Sequence, residues 1–280
     1  MLDTLEKIWD WTSRAVTARR EHKVEAPKAA LRARFRRCFS TQGITDLQIA
    51  RLMPVDAPLS AAQVLDDKEL LYALNPVRLN HVADLFGIER AWLDGADSKI
   101  YPSCCVYKNP GAFLDFLVDA TTKHDRVEFW ITKGADNDLD RFPSMSAIAC
   151  GLRASVGTVG ETTVWRDLPL SDVWNWQHPP ARNGIKAMCL MAWQFGIHLK
   201  GFNNRQRDIQ EFFDGKLFVS ELMGRAVGHF WHPDDYIFTE AESCRAIDPE
   251  DALCVDRLIA AAGRSELRTT GFSRDLSSQS

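Results

Sequence analysis

Pro27, Gly43, Pro54, Pro58, Pro76, Gly87 and Gly95 cut the first third of the chain into pieces with room for only short helices. Proline lacks the N–H that a helix interior needs, and glycine supplies the left-handed backbone that stops a helix. Between these breaks apolar residues recur at helical spacing. Leu31, Phe35 and Cys38 line one side of residues 28–39. Thr45 precedes the segment 46–53 as an N-cap, with Gln48 three residues on in the pattern of a capping box. Beyond the two prolines, helices are expected over 60–65 and 67–74, the second turning Leu70, Leu71 and Leu74 inward. Pro76 sits at the first position of a helix over 76–86 that buries Leu79, Val82, Leu85 and Phe86. A short turn over 89–93 closes at Gly95. Short helices in this number predict a compact all-helical domain over residues 28–97.

From Lys99 the texture changes. Alternating and β-branched runs at 126–132, 147–156 and 161–165 read as strands, with Gly157 and Gly160 marking a tight turn. Helical patterns occupy 111–120, 180–195 and 205–213, and 197–200 reads as a short strand. The expected class is α+β: the helical domain, then an α+β domain over 98–247 with an antiparallel sheet, serving as a sensor or for oligomerisation. Residues 1–27 read as an amphipathic helix offering a dimer contact, and 248–280 as a helix followed by a polar, disordered tail.

An apolar share of 45% and a charged share of 26% are those of a folded globular chain. No apolar run reaches the ~18 residues of a membrane helix, and the N-terminus has no signal-peptide pattern, so a cytoplasmic protein without membrane contact is expected. Seven cysteines with no C-x-x-C pair fit buried free thiols in a reducing compartment. Charge is uneven. Between Arg14 and Arg37 nine basic residues face two acidic ones, although the whole chain carries −4. A basic block on an acidic body suggests an anionic partner, nucleic acid first, or else a solvated helix that offsets the acidic remainder.

Within residues 28–95, Leu31-Arg32-Ala33-Arg34-Phe35, then Gly43-Ile44-Thr45-Asp46-Leu47-Gln48-Ile49-Ala50, then Leu79 through Ile88 and Trp92-Leu93-Asp94-Gly95 resemble the Cro/repressor (XRE-like) helix-turn-helix family. Ala50 is small where two helices cross, and Ile49, Leu52 and Met53 supply the contact. The resemblance implies a reading helix over 57–65 that enters the major groove of double-stranded DNA. It implies base contacts from Ser60 and Gln63, further contact from Gln48, and phosphate contacts from Arg51, Lys68 and Arg78. Arg32, Arg34, Arg36 and Arg37 would add sequence-independent attraction. The sequence departs from the family at Pro54, where glycine is usual, and in a reading helix without Lys or Arg that is followed by Asp66-Asp67.

Other chemistry has weaker signatures. Trp174 and Trp176, beside Arg182 and Lys186 at a helix start, could wall a pocket for a small anionic ligand, or could simply plug the core. His229, His232 and Asp234 form the most metal-like cluster, although the spacing is not that of a helical metal pair. Cys104 or Cys105 with His124 or His178 would be a nucleophile pair if the fold brought them together. No G-x-S-x-G, P-loop or G-x-G-x-x-G occurs.

These features lead to an expected homodimeric, DNA-binding transcriptional regulator without cofactor or metal. The alternatives are a protein-interaction module on the same helical fold, and a metal-dependent enzyme.

Overall fold

The computed structural model describes residues 26–104, 106–107, 109–135, 139, 147–170, 174–237 and 249–263. The expected N-terminal dimer helix and the polar tail after residue 263 lie outside them. The chain divides into two compact units, with a boundary between Ser98 and Lys99; Leu85–Ile88 group with the second unit.

In the first unit, residues 26–40 form α1. Then come α2 (Asp46–Ile49), a 3-10 turn (Ala50–Leu52), α3 (Ala61–Leu65), α4 (Asp67–Ala73), α5 (Pro76–Phe86) and α6 (Arg90–Asp94). Phe35 and Phe39 of α1 pack with tilted rings, centroids 5.2 Å apart. Ile44, Ile49, Val64, Leu70, Leu79 and Trp92 are also buried. The helix ends follow local chemistry. Thr45 and Gln48 form a capping box on α2, and Ser60 and Gln63 form one on α3. Asp66 accepts the backbone N–H groups of Lys68 and Glu69 at 2.8 and 2.9 Å, which starts α4 and ends α3. Gly95 closes α6 in the left-handed region, at φ 86°.

The second unit is built on a mixed sheet. Its elements are α7 (Pro110–Lys123), β1 (Val127–Gly134), β2 (Ala147–Val159), β3 (Thr162–Pro169), β4 (Trp174–Asn175), α8 (Pro179–Gln194), β5 (His198–Asn204), α9 (Gln206–Phe213), α10 (Val219–Gly224), a 3-10 turn (Pro233–Tyr236) and α11 (Pro249–Ala261). The strand order is β3-β2-β1-β5, with β4 also paired to β2. The α+β class holds, but the sheet is not purely antiparallel. β1 and β5 run parallel, because the long helix α8 carries the chain back before β5 begins.

Alternation along the strands separates two faces. Phe129 and Ile131 of β1 and Ile148, Cys150 and Leu152 of β2 join a core with α7, α8 and α11. Trp130, Ala149 and Phe202 face the other way, into a smaller core with Phe212 of α9 and Val219 and Leu222 of α10. Gly151 stands opposite Trp130, and a Cβ there would lie 2.7 Å from the indole and 2.6 Å from the Leu168 carbonyl oxygen. The absent side chain makes room for the buried ring. Gly151→Ala is therefore expected to lower stability by about 1–3 kcal/mol, read from urea denaturation, by forcing ring or strand to shift.

Candidate functional site

Most of the polar side chains expected to face DNA are engaged inside the helical unit. Gln48 accepts the Thr45 backbone N–H at 2.9 Å, and Gln63 accepts that of Ser60 at 3.0 Å. The Ser60 hydroxyl in turn accepts the Gln63 N–H at 3.2 Å. Arg78 donates to the carbonyls of Ala57 at 3.2 Å and Pro58 at 2.6 Å, and also to that of Ala73. It pins the connection before α3 to α5. Arg36 pairs with Asp67 at 2.6 Å and Asp46 at 3.4 Å, and donates to the Val64 carbonyl at 2.7 Å. Arg32 lies 3.8 Å from Asp67. Arg34 lies over the Trp92 ring, 5.8 Å from its centroid, in space that Gly95 leaves open. Arg37 is half-buried; Arg51 and Lys68 are exposed.

The expected reading helix is shorter than its sequence pattern. Residues 57–60 are not helical, and α3 holds only five residues before Asp66 redirects the chain.

In the second unit, Trp174 and Trp176 are buried, at 4% and 3% exposure, and belong to the main core. Arg182 binds Asp251 of α11 through two hydrogen bonds of 2.8 Å. Lys186 reaches the same carboxylate at 2.7 Å, with its ammonium 5.7 Å from the centre of the Trp176 ring. The expected anion for this site is thus an internal one: a carboxylate that ties α11 to α8. Burial pushes the Asp251 carboxyl up, but the hydrogen bonds and charges of Arg182 and Lys186 outweigh burial and hold it at about 2. Asp251→Asn is expected to cost about 3–5 kcal/mol in denaturation at neutral pH, because two cations lose their counter-charge. The folded value lies below the ordinary 3.8, so the contribution is complete above that pH and is lost as pH falls through about 2.

The structure also assembles a charged row across the sheet. Asp167 of β3 lies opposite Arg153 of β2, Arg153 opposite Glu128 of β1, and Glu128 opposite His198 of β5. Register neighbours share a face, so the row crosses four strands on the side of α9 and α10. Asp167, Arg153 and Glu128 are all buried. Arg153 lies 3.2 Å from Asp167 and donates to the Ser220 hydroxyl at 3.2 Å; the Tyr101 hydroxyl donates to Asp167 at 3.4 Å. Glu128 is held by Arg126 and Lys200, each at 2.8 Å. Arg126 and Arg153 both lie over the Trp165 ring, at 4.9 and 4.6 Å from its centroid. A signal was present in Arg153, the single charge in the mostly apolar run 147–156.

Burial pushes the Asp167 carboxyl up to about 6 against the pull of Arg153 and Tyr101, with Glu128 adding to the rise. Here the folded value exceeds the ordinary 3.8, so the folded state takes up its proton first. The contribution of Asp167 to stability falls as pH rises from 3.8 to about 6 and is constant above. Asp167→Asn is expected to remove that slope from a pH series of denaturation midpoints.

Beside this row lie two cavities. One of about 590 Å³ opens at the starts of β1 and β5 and is lined by polar groups including His124, Arg126, Glu128, His198 and Lys200. One of about 380 Å³ runs along β5, lined mainly by Phe202, Met223, Phe230 and Trp231.

Of the other candidates, Cys105 and the side chain of Asp234 lie outside what the structure describes. His229 and His232 are exposed, and no group of three or more metal-binding side chains comes together among the described residues. His124 bonds to the Ser155 carbonyl oxygen at 3.1 Å and His178 to the Tyr107 hydroxyl at 2.8 Å. Cys38, Cys150 and Cys189 are buried and form no disulfide, and burial pushes the Cys38 thiol up. Among the described residues no helix is long and apolar enough to cross a membrane. Comparison of the chain with protein-family models, curated proteins and solved structures returned no match.

Proposed function

We propose that the protein is a non-catalytic binding protein whose helical unit contacts a protein partner instead of reading DNA bases. The observation that carries this reading is the engagement of Gln48, Ser60, Gln63, Arg36 and Arg78 within the unit. Each would have to give up hydrogen bonds to its own backbone or an ion pair before it could meet a duplex. What α3 and α4 present outward is apolar and mainly acidic, with Lys68 the one cation on these two helices. Leu65 is 56% exposed and Tyr72 85%, flanked by the exposed Asp66, Asp67 and Glu69. Such a surface repels phosphate and suits a partner with apolar side chains and a basic rim.

A DNA-binding regulator is the second reading. It is favoured by exposed Arg51 and Lys68 and by the basic residues before Cys38.

One experiment separates the two. A photo-crosslinking amino acid at position 72 of the full chain is expected to attach to a polypeptide inside cells, and Leu65→Ser is expected to abolish that product. In parallel, fluorescence polarisation should show no binding to random duplex DNA at low salt. Salt-dependent duplex binding that weakens on Arg51→Ala and Lys68→Ala would overturn the protein-contact reading in favour of the regulator.

A further inference from the structure

The polar and apolar cavities of the second unit share two lining residues, His198 and Lys200, both on β5. They therefore adjoin at the start of the edge strand. We propose that the joined cleft binds a small amphipathic anion, with its apolar body against Phe202, Met223, Phe230 and Trp231 and its charged head at Lys200. This goes beyond the reading of the helical unit and is independent of it.

Four observations support a ligand of this class. Phe230 leaves 76% of its surface in water at the apolar groove, a side chain that gains by being covered. The groove's volume, about 380 Å³, lies in the range of small-molecule sites. No carboxylate lines the groove among the described residues; its polar lining is Lys200 with His198 and His232. In the polar basin the acidic groups are Glu128, itself buried, and Asp125, exposed on the lining. Lys200 keeps 38% of its side-chain surface exposed while it pairs with Glu128, and an ammonium with three donors can hold that carboxylate and a second acceptor.

The geometry also argues against a peptide strand as the occupant. The free edge of β5 is already taken by residues 227–231: Trp231 N–H donates to the Gly201 carbonyl at 3.2 Å, and Val227 N–H to that of Asn203 at 2.8 Å. The Trp231 indole covers the Phe202 carbonyl at 3.1 Å. With its backbone acceptors occupied there, the edge offers side chains and not a ladder for strand addition.

The test uses the full chain and 8-anilinonaphthalene-1-sulfonate, an aromatic anion whose fluorescence reports apolar contact. Saturable binding is expected, with displacement by octanoate but not by octylamine or acetate at equal concentration. Phe230→Ser is expected to weaken octanoate by about fivefold, and Lys200→Gln by about five- to tenfold. Because Lys200→Gln also takes a partner from Glu128, its melting curve is measured alongside; the exposed Phe230 carries no such risk and keeps the test decisive. Absence of saturable binding, equal displacement by octylamine, or unchanged affinity in Phe230→Ser would overturn the proposal.

Discussion

A carboxylate buried in the middle of a sheet must be matched by cations, and Glu128 sets that requirement for the second unit. It is the meeting point of three strands: its own β1, β2 through Arg153 in register, and β5 through Lys200. Arg126 completes the pairing and lies with Arg153 over Trp165 of β3. Each cation is held by what it neutralises, so ion pairs link β2 to β3 and β1 to β5. The parallel pairing of β1 with β5 follows a covalent route through α8, and the Lys200–Glu128 pair adds an electrostatic link across it.

The two faces of this sheet solve burial differently. One packs Phe129, Ile131 and their neighbours into a core with three helices, closed by Asp251 between Arg182 and Lys186. The other combines a smaller apolar cluster with hydrogen-bonded polar groups. There the Thr132 hydroxyl donates to Asn204 at 2.8 Å, and Asn204 donates to the Leu222 carbonyl at 2.7 Å, so that β1, β5 and α10 are tied together. Satisfied buried polar groups specify one arrangement where apolar contacts alone would allow several. Asp251 and Asp167 also respond to acid in opposite directions, because two cations outweigh burial at Asp251 whereas burial outweighs the pull of Arg153 and Tyr101 at Asp167.

The helical unit teaches a different lesson about motifs. The resemblance of residues 28–95 to a helix-turn-helix rests on local spacing, caps and small residues. Whether the polar residues of that pattern face outward depends on partners distant in sequence. Arg36 meets Asp67 and Val64, and Arg78 meets Ala57 and Pro58, across separations no local pattern contains.

The sequence by itself determined the local structure: the capping box at Thr45 and Gln48, the start of α5 at Pro76, the turn at Gly160 and the long apolar helix α8. These depend on residues within a turn or two of one another, so propensity and periodicity suffice. Only the tertiary structure decided that β5 joins β1 in parallel, that Arg182 and Lys186 face Asp251, and that His198 and Lys200 stand where two cavities meet. Those outcomes turn on which distant charges and strand edges become neighbours, and that choice is made by the packing of the whole unit.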